Sequence, residues 1–578
     1  MVTDGRAEEA GTNERQQVSR PAYRVKPSDP RAASVLGRRC GVGEVAARLL
    51  LQRGYGEPGA ARAFLDPKLS SLSSPEGMAD RARAAERLAR AIRDGERICV
   101  FGDYDVDGTT SAAILGDVLS ALGGHVQTLV ANRFEGGYGF SEPALRRCLS
   151  TEPAVIVTCD VGSSDHPRIA AAAAAGVDVI VVDHHLVPAE PLPALAFLNP
   201  HRPECAYPYK GLCSAGLVFV LAAALRRALG ADLDLRPWLD LVALGTVADV
   251  APLDGDNRAL VRAGLQLLAS PRARPGIQAL REVARIRPGR RLGAMEIAFR
   301  LAPRLNAPGR LGDPSVVVEL LRERDPARAR VLAAKVEALN DERKAIERQT
   351  TDEALAQVRE LYGDAPTAGV IVASPRWHRG VVGISAARLV DRFDVPAIVV
   401  ALDEDGLGHG SARTPDGVHL YDAIASCRDL LERFGGHAAA AGVTVREDRL
   451  DALRAAFAEV TPRPAARLTP PTVDVSIGAG MELPSVDDLM RLEPLGEGNA
   501  QPLFALEDAQ VDDVSVVGDG QHLKLRLRHG GRVLTAFGRD MASRADDIGS
   551  TVTVIGHIRP DLWRGGDALE MSLTRLFV

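Results

Sequence analysis

The stretch RICVFGDYDVDGTTSAAILGDVLSALGG, residues 97–124, decides the fold. Its first six residues form a short apolar run that predicts a β-strand, and apolar side chains recur at helical spacing after the aspartates. Three aspartates, Asp103, Asp105 and Asp107, stand between strand and helix. An EF-hand calcium loop begins with the same alternation, but its twelfth position, a required carboxylate, is Ile114 here. The stretch therefore predicts a strand-to-helix turn that carries three carboxylates.

Short apolar runs alternate with helical segments on the C-terminal side of this turn. The predicted strands of the region are 97–102, 126–131, 154–159 and 177–182. Helices rich in Leu and Ala follow from Ser214 to about Leu268. Strands that alternate with helices in this way predict an α/β fold with a parallel, doubly wound sheet.

A second, smaller α/β unit is predicted further along the chain. Residues 325–363 read as one long charged helix, and the strands 369–374 and 395–402 follow it. After a Pro-rich break at 462–471, the sequence changes to short alternating strands. Such strands predict a small antiparallel β-barrel of the OB type.

These elements divide the chain into five predicted parts. They are a disordered N-terminal tail at 1–32, a first α/β domain at 33–324, a linker helix at 325–363, a second α/β domain at 364–466 and a barrel domain at 467–578.

The composition is that of a soluble globular protein, with 46% hydrophobic and 25% charged residues and a net charge of −6. No apolar run reaches membrane-spanning length, and no signal-peptide core is apparent near the N-terminus. The seven cysteines show no CxxC spacing, which favours reduced thiols over disulfides or a zinc ribbon. These features predict a cytoplasmic protein, and the net negative charge gives no general signature of nucleic-acid binding.

Acidic and imidazole side chains stand at the carboxyl ends of the predicted strands. Asp160 follows the third strand, and the triplet Asp183, His184 and His185 follows the fourth. Asp249 stands beside a predicted helix end. Because the carboxyl ends of the strands in an open α/β sheet line one crevice, we expect these side chains to meet the aspartates of the first turn there.

So many carboxylates in one crevice would repel one another strongly unless cations are present. Oxygen and imidazole ligands without cysteine favour Mn²⁺, with Mg²⁺, Zn²⁺ and Fe²⁺ as alternatives. Two such ions about 3.5–4 Å apart promote in-line hydrolysis of phosphoesters. The alternative for any single aspartate at such a turn is a helix N-cap. Taken together, the set predicts a centre for two divalent metal ions.

Four motifs in this region resemble those of the DHH phosphoesterases, namely DYDVDG, VTCDVGSS, VVDHH and GTVADV. Later motifs narrow the resemblance to the RecJ family of single-strand-specific 5′→3′ DNA exonucleases. These are NRFEGGYGFS at 132–141, APRLNAPGRLGD at 302–313, WHRGVVGISAARL at 377–389, GSART at 410–414 and FGGHAAAAG at 434–442. The segment LEPLGEGNAQPLF at 492–504 is similar to the one that introduces the OB domain of that family. The resemblance runs from about residue 35 to the C-terminus.

The resemblance implies roles for residues of the crevice. The implied metal ligands are Asp105, Asp107, Asp160, His184 and Asp249, with Asp160 as the bridge and Asp103 as a less certain, supporting residue. His185 is expected to contact the scissile phosphate or its leaving oxygen, and Asp183 to orient an imidazole. Arg304 is expected to neutralise charge that develops on the scissile phosphate.

Substrate-binding roles are implied in the same way. Arg133, Ser411 and Arg413 are expected to hold the 5′-terminal phosphate, since arginine and hydroxyl groups bind phosphate dianions. Tyr138 is expected to stack on a base, which binds single strands of any sequence. For Tyr138 the alternative is loop packing. His378 and His437 are expected to help position the strand.

The sequence departs from the family pattern at two positions. Many members of the superfamily have a His four residues before the aspartate that matches Asp105, where this chain has Phe101. We therefore expect a poorer ligand set for one of the two metals. The phosphate-binding motif often reads GSGR, and here Ala412 replaces its second Gly, which is acceptable if the backbone at Ala412 has a negative φ.

The implied function is a metal-dependent exonuclease that degrades single-stranded DNA to 5′-mononucleotides in DNA repair and recombination. The implied protein is a monomer without membrane contact, and its family leads us to expect a single-strand-binding protein and a helicase as partners. Two alternatives stay open. One is a phosphodiesterase of short oligoribonucleotides or cyclic dinucleotides, which would need only the two α/β domains. The other is an inactive DNA-binding replisome scaffold, which would be expected to lack the acidic motifs.

Overall fold

The structure is a computed structural model that describes residues 23–136, 139–287, 291–462, 470–561 and 564–578. The chain forms two compact units. The first lies within Met1–Arg62, Leu468–Leu492 and Gln501–Val578, and the second within Ala63–Arg467 and Glu493–Ala500. In these described ranges, no helix has both the length and the apolar character that crossing a membrane requires.

The N-terminal part of the chain contains both helices and short strands. Its elements are β1 Arg24–Val25, α1 Pro30–Cys40, α2 Glu44–Gln52, α3 Pro58–Leu65, α4 Arg81–Arg93, β2 Arg97–Gly102, α5 Val106–Ala121, β3 His125–Val130, α6 Glu142–Leu149, β4 Val155–Cys159, α7 His166–Ala174, β5 Asp178–Val182 and β6 Ala196–Leu198. A mainly helical region then contains α8 Ser214–Leu229, α9 Leu239–Ala248, α10 Gly255–Ala269, α11 Pro275–Val283, α12 Ala294–Glu296, a π-helical turn Ile297–Leu301, α13 Ala302–Leu311, α14 Ser315–Arg322 and α15 Pro326–Tyr362.

The C-terminal part has more strands than helices. Its elements are β7 Val370–Ser374, α16 Val382–Phe393, β8 Ala397–Leu402, β9 Leu407–Arg413, α17 Leu420–Ser426, β10 Arg433–Gly436, β11 Ala440–Arg446, α18 Leu450–Val460, β12 Thr472–Val473, β13 Val475–Ile477, α19 Val486–Leu492, β14 Phe504–Val517, β15 His522–His529, β16 Arg532–Gly538, β17 Thr551–Pro560 and β18 Leu569–Phe577. Short 3₁₀ turns lie at Leu69–Ser71, Pro75–Gly77, Arg236–Trp238, Arg428–Leu430, Glu447–Arg449 and Ala542–Asp547.

The first sheet of the second unit is entirely parallel, with the strand order β3-β2-β4-β5-β6. Each of the four strands predicted in this region begins within one residue of an observed strand. The continuous apolar runs of β2 and β4 are explained by burial on both faces of the sheet. The predicted α/β fold with a parallel sheet is confirmed.

Helix α5 starts at the carboxyl end of β2 and runs through the centre of this domain. Its N-cap is Asp105, whose side chain accepts a hydrogen bond from the Gly108 backbone N–H (3.0 Å). A Cβ atom on Gly108 would lie only 2.5 Å from the backbone nitrogen of Asp103, so only glycine permits this tight turn. Every residue from Val106 through Leu119 is buried, and the helix therefore holds the turn in a fixed position.

The long helix and the second α/β region also agree with the prediction. Asp325 caps α15 by accepting hydrogen bonds from the first turn, and Gly363 with φ 79° follows its last residue. The sheet that follows has the order β10-β11-β9-β8-β7, in which β7 and β8 are parallel and the other pairs antiparallel. Ala412 lies buried in β9 without a positive φ, so it is compatible with this strand.

The C-terminal strands close into a five-stranded barrel in the first unit. Strand β14 pairs with both β15 and β17, and β16 pairs in parallel with β18. Burial alternates along β15, as expected for a strand with one face in a barrel core. The predicted OB-type barrel is confirmed.

The polar segment predicted as a tail, residues 1–32, overlaps ordered elements at its end. Strand β1 pairs in parallel with β12, and the Arg24 backbone N–H donates to the Pro471 carbonyl (2.9 Å). Helix α1 begins at Pro30 with an Asp29 cap. Local composition did not reveal this strand because its pairing partner lies more than 440 residues away in the sequence.

Candidate metal centre and phosphate pocket

The parallel sheet brings three aspartates to neighbouring positions on its carboxyl edge. The Asp103 backbone N–H donates to the last carbonyl of β4 (3.1 Å), and that of Asp160 donates to the last carbonyl of β5 (2.9 Å). The Asp183 N–H continues the pattern to β6 (3.0 Å). Asp160 adopts a left-handed backbone with φ 67°, a conformation that aspartate tolerates better than most residues. The predicted convergence at this edge is therefore present.

The ligand atoms form overlapping groups whose members lie within 4.8 Å of one another. The groups are Asp103, Asp105 and Asp160; Asp107, His184 and Asp249; and Asp160, His184 and His185. His184 Nε2 lies 3.2 Å from Asp160 Oδ1 and 3.8 Å from Asp249 Oδ2. All five predicted metal ligands are thus brought together. Asp160 belongs to two of the three groups and lies beside His184 of the third, a position that suits a bridging carboxylate.

The donor set fits divalent cations. Two of its buried atoms, His184 Nε2 and Asp103 Oδ1, have no hydrogen-bond partner among the described residues. Asp107 is fixed by the backbone N–H groups of Ser214 (2.7 Å) and Ala215 (2.9 Å) at the start of α8. Buried polar atoms are normally paired, so an imidazole nitrogen and a carboxylate oxygen without a hydrogen-bond partner are well suited to bind a cation.

Without cations these carboxyl groups are difficult to ionise. Burial, followed by repulsion from neighbouring aspartates, raises the pKa of Asp103 and of Asp160 well above the usual range. The same two causes raise the pKa of Asp249 to about 8, and burial raises that of Asp107 as well. Four neighbouring carboxyl groups with raised pKa values are the pattern expected where carboxylates ligate cations.

Metal binding should therefore compete with protons. A carboxyl group with a raised pKa still holds its proton at pH 6 and must lose it before it can ligate a cation. We expect Mn²⁺ to bind at least about tenfold more tightly at pH 8 than at pH 6, with proton release. Calorimetric titrations in two buffers of different ionisation enthalpy would measure the Mn²⁺ affinity and the number of protons released. The Asp249→Asn variant should release fewer protons than the wild type. An affinity independent of pH would contradict this account of the cluster.

Asp183 holds the two histidines of the centre in place through hydrogen bonds. It accepts hydrogen bonds from the backbone N–H groups of Ser163 (3.0 Å), His184 (2.8 Å) and His185 (3.2 Å), and its Oδ1 lies 2.7 Å from His185 Nδ1. Burial raises the pKa of Asp183, but these hydrogen bonds and the imidazole outweigh it and hold that pKa well below the usual range. Burial lowers the pKa of His185, but Asp183 outweighs it and raises the pKa to about 9. The geometry is that predicted for an aspartate that orients an imidazole.

Phe101 lies in the hydrophobic core. Its side chain is fully buried, and its ring packs 5.2 Å from the ring of Phe140 in a separate core cluster. Asp103, predicted only as a supporting residue, instead contributes an unpartnered buried oxygen beside Asp105 and Asp160. The expectation of a poorer ligand set for one metal stays a prediction, and Asp103, two positions further along the chain, is a candidate for an additional ligand.

A group of arginines lies next to this turn. The Arg133 guanidinium stacks 4.5 Å above the ring of Tyr104, which stands between two of the metal-centre aspartates. Burial, followed by repulsion from Arg133, Arg343 and Arg413, lowers the pKa of Arg310 to about 10. Within the described ranges, Arg133, Arg310 and Arg413 form no ion pair with any carboxylate, so this arginine cluster is a candidate site for an anion.

Ser411 and Arg413 form one wall of this pocket. Arg413 donates through one terminal nitrogen to Ser411 Oγ (3.0 Å) and to the Ala412 carbonyl (2.7 Å). A Cβ on Gly383 would lie 2.9 Å from Ser411 Oγ and 3.2 Å from Arg413, so a glycine is needed beside the two side chains. Ser411 and Arg413 thus lie side by side, and Arg413 is close enough to Arg310 for the two guanidinium charges to repel each other. Their expected role in holding the 5′-terminal phosphate stays a prediction.

The other predicted substrate-binding residues are placed differently. His378 lies against Phe134, whose ring is 5.5 Å from the imidazole, so the loop that carries Arg133 contacts the second α/β region. His437 is exposed in the β10–β11 hairpin, where its backbone N–H donates to the Ala440 carbonyl. Tyr138 lies outside the described residues.

Arg304 is not brought to the metal centre by any contact among the described residues. Its guanidinium forms a two-point ion pair with Glu337 of α15, with distances of 2.6 and 2.9 Å, and it also donates to the Arg300 carbonyl. The role expected for Arg304 at the scissile phosphate stays a prediction, and the guanidinium would have to leave Glu337 to perform it. Arg310, six residues further along α13, lies in the arginine cluster instead.

Sequence reasoning gives little weight to one residue of this region and overlooks two others. Asp103 receives only a supporting role, although it stands in the decisive turn. Arg310 lies in the motif that was assigned to Arg304. Ser214, whose hydroxyl donates to Asp160 (3.2 Å), carried no signal because a serine that starts a helix is common.

Comparison with known proteins agrees with this architecture. Three family models match the chain: the DHH family N-terminal domain at residues 97–246, the DHHA1 domain at 367–461 and the RecJ OB domain at 478–575. The single-stranded-DNA-specific exonuclease RecJ of Escherichia coli is 36% identical over 555 residues, which cover 91% of this chain and 96% of that protein.

Two solved structures of RecJ from Thermus thermophilus are also similar. The complex with Mn²⁺ has 31% identity and a TM-score of 0.80, and the match covers 97% of this chain and 80% of that one. The complex with Mg²⁺ has 30% identity and a TM-score of 0.74, with 97% and 79% covered. A parallel sheet with carboxylates and histidines at its edge, followed by a second α/β domain, defines a phosphoesterase of the DHH class. With its OB barrel, the chain belongs to the RecJ family.

Proposed function

We propose that this protein is a metal-dependent 5′→3′ exonuclease that degrades single-stranded DNA to 5′-mononucleotides. One observation supports it above all others, namely that the metal centre and the arginine cluster meet at a single turn. In this turn Tyr104 lies between Asp103 and Asp105, and the Arg133 guanidinium stacks on the Tyr104 ring. A terminal phosphate held by the arginines would thus lie close to the point of hydrolysis.

The metal ligands we propose are Asp103, Asp105, Asp107, Asp160, His184 and Asp249. Bound Mn²⁺ or Mg²⁺ would generate a nucleophilic hydroxide and neutralise charge on the scissile phosphate. The unpartnered buried atoms of Asp103 and His184 support this assignment. Mn²⁺ is favoured by the mixture of oxygen and imidazole donors.

His185 is proposed to contact the scissile phosphate or the leaving 3′ oxygen. Its Nδ1 is engaged by Asp183 at 2.7 Å, which fixes the ring and favours the protonated imidazole. A protonated His185 can donate a proton to the leaving oxygen, which develops negative charge as the phosphoester bond breaks. Asp183 would act only through His185, as the residue that orients it.

Arg133, Arg310, Ser411 and Arg413 are proposed to hold the 5′-terminal phosphate. A phosphate dianion would compensate buried guanidinium charges that have no carboxylate partner in the described chain. His378 is proposed to position the strand through the loop that carries Arg133, and Tyr138 and His437 keep their proposed substrate-binding roles.

We further propose the setting in which this activity occurs. The protein would act as a cytoplasmic monomer in DNA repair and recombination, on strands supplied by a helicase and covered by a single-strand-binding protein. The domain limits we propose are 33–324 for the DHH domain, 364–466 for the DHH-associated domain and 467–578 for the nucleic-acid-binding barrel, with the linker helix at 325–363.

The activity can be tested with a panel of labelled substrates in Mn²⁺. We expect 5′-phosphorylated single-stranded DNA to be degraded at least about tenfold faster, by kcat/KM, than duplex DNA, RNA or cyclic dinucleotides, a difference of ~1.4 kcal/mol or more. A 5′ label should appear first in a mononucleotide, and a 3′ label in a descending ladder. Faster turnover of RNA dinucleotides than of long single-stranded DNA would refute the proposal.

A further inference from the structure

The side chains around the metal centre differ in their exposure to solvent. Those of Asp107 and Asp160 are 0% and 3% exposed, whereas those of His184, Asp249 and His185 are 19%, 21% and 41% exposed. Asp105, on the side of the arginine cluster, is half-buried. The centre is therefore exposed beside the two histidines and Asp249, and also beside Asp105.

Two large apolar side chains stand exposed next to His185 and Asp249 in the sequence. Leu186 directly follows His185 and is 75% exposed, and Val250 directly follows Asp249 and is 64% exposed. Val250 also has φ 60°, a left-handed backbone that is strained for a β-branched residue. Strain of this kind concentrates at functional sites. Among the described residues, neither side chain is part of a hydrophobic core cluster.

The position of the arginine cluster indicates the direction in which the DNA strand leaves the metal centre. The cluster adjoins the metal centre through Tyr104, on the side of Asp103 and Asp105. If the 5′-terminal phosphate lies in that cluster and the scissile phosphate at the metal ligands, the rest of the strand must continue away from the cluster. Of the exposed parts of the centre, the one beside His185 and Asp249, which Leu186 and Val250 follow in the sequence, lies away from the cluster.

We propose that Leu186 and Val250 form a subsite for the nucleobase immediately 3′ to the scissile phosphate. This inference rests on the proposed exonuclease function and adds a contact to it. Aliphatic side chains pack on the face of any base, so the subsite accepts all four bases and fixes the second nucleotide while the first is removed. The exposure of both side chains in the substrate-free protein follows, because the substrate is what covers them.

The test compares side-chain removal with base removal. Leu186→Ser and Val250→Gly each delete one apolar contact, and glycine also relieves the strain at φ 60°. On a single-stranded 12-mer, each variant should lower kcat/KM about fivefold through KM, with kcat and the thermal shift caused by Mn²⁺ unchanged. The kcat/KM of the wild type should fall by a similar factor on a 12-mer whose second nucleotide is abasic. On this abasic 12-mer the kcat/KM of each variant should equal that of the wild type, since the contact between base and side chain is already absent.

A matched control is available on α15, where Val331 is 69% exposed and distant in sequence from the site. Val331→Ser should leave both substrates unaffected. The subsite would be overturned if the variants lost the same factor in kcat/KM on the normal and the abasic 12-mer. It would also be overturned if the kcat/KM of the variants equalled that of the wild type on both substrates. A wild-type protein that does not degrade single-stranded DNA at all would overturn the proposed function itself, so the two failures are distinguishable.

Discussion

Replacing Asp160 by Asn should abolish cleavage, with kcat at least about a thousandfold below the wild-type value, or ~4 kcal/mol of lost transition-state stabilisation. Asp160 belongs to two of the three ligand groups, and His184 Nε2, which is shared with the third, lies 3.2 Å from its Oδ1. Asn keeps the shape of the side chain but removes the negative charge that would hold the cations. Rates of mononucleotide release from a labelled single strand in Mn²⁺ measure the effect.

Asn is the appropriate replacement because Asp160 has φ 67°. Asn tolerates the left-handed region, whereas Ala would add backbone strain of about 1–2 kcal/mol and confuse lost chemistry with lost stability. DNA affinity, measured by fluorescence anisotropy, should stay within about threefold, because the arginine cluster that binds the terminal phosphate is intact. Activity within tenfold of the wild type would show that the metal centre lies elsewhere.

The same variant should be more resistant to heat than the wild type when metal is absent. Burial and neighbouring aspartates raise the pKa of Asp160 well above the usual range, so its ionised form opposes folding. A raised carboxyl pKa contributes stability at low pH that is lost as the pH rises towards the folded-state value. The stability advantage of Asp160→Asn should therefore grow as the pH rises, and disappear when Mn²⁺ is added.

Much of this site could be predicted from the sequence because its residues follow buried parallel strands. A short apolar run followed by an aspartate occurs at Asp103, Asp160 and Asp183, and parallel strands place all such ends on one edge. The helix N-cap alternative also proved correct for Asp105, which accepts a hydrogen bond from Gly108. A cap uses only one carboxylate oxygen, so capping and metal ligation are compatible at that residue.

What the sequence could not resolve depends on packing between distant segments. Arg304 and Arg310 lie six residues apart on α13 and so point to different sides of the helix. Only the position of Glu337 on α15 shows that Arg304 forms an ion pair there. Arg310, on another side of the helix, lies in the arginine cluster. The effect of Phe101 on the ligand set also depends on packing, because Asp103 lies beside Asp105 and Asp160 as a candidate ligand.

Replacing Arg413 by Ala should remove most of the preference for a 5′ phosphate. We expect the ratio of kcat/KM between 5′-phosphorylated and 5′-hydroxyl single strands to fall about thirtyfold, or ~2 kcal/mol, the value of a charge-assisted hydrogen bond. The fold should tolerate the change, because burial lowers the pKa of Arg413 and no carboxylate in the described chain pairs with it. Arg392 is exposed on α16 of the same domain, so Arg392→Ala is a matched control. In this control the ratio of kcat/KM between 5′-phosphorylated and 5′-hydroxyl strands should be unchanged.

Ser411 makes this prediction sharper, because Arg413 donates to its hydroxyl at 3.0 Å. Two groups that hold one phosphate together should not contribute additively. Ser411→Ala should reduce the preference less than Arg413→Ala, and the double variant should lose no more than Arg413→Ala alone. Arg413→Lys should recover only part of the ratio, since an ammonium keeps the charge but loses the planar fork. Additive losses, or a preference that survives in Arg413→Ala, would show that the terminal phosphate binds outside this pocket.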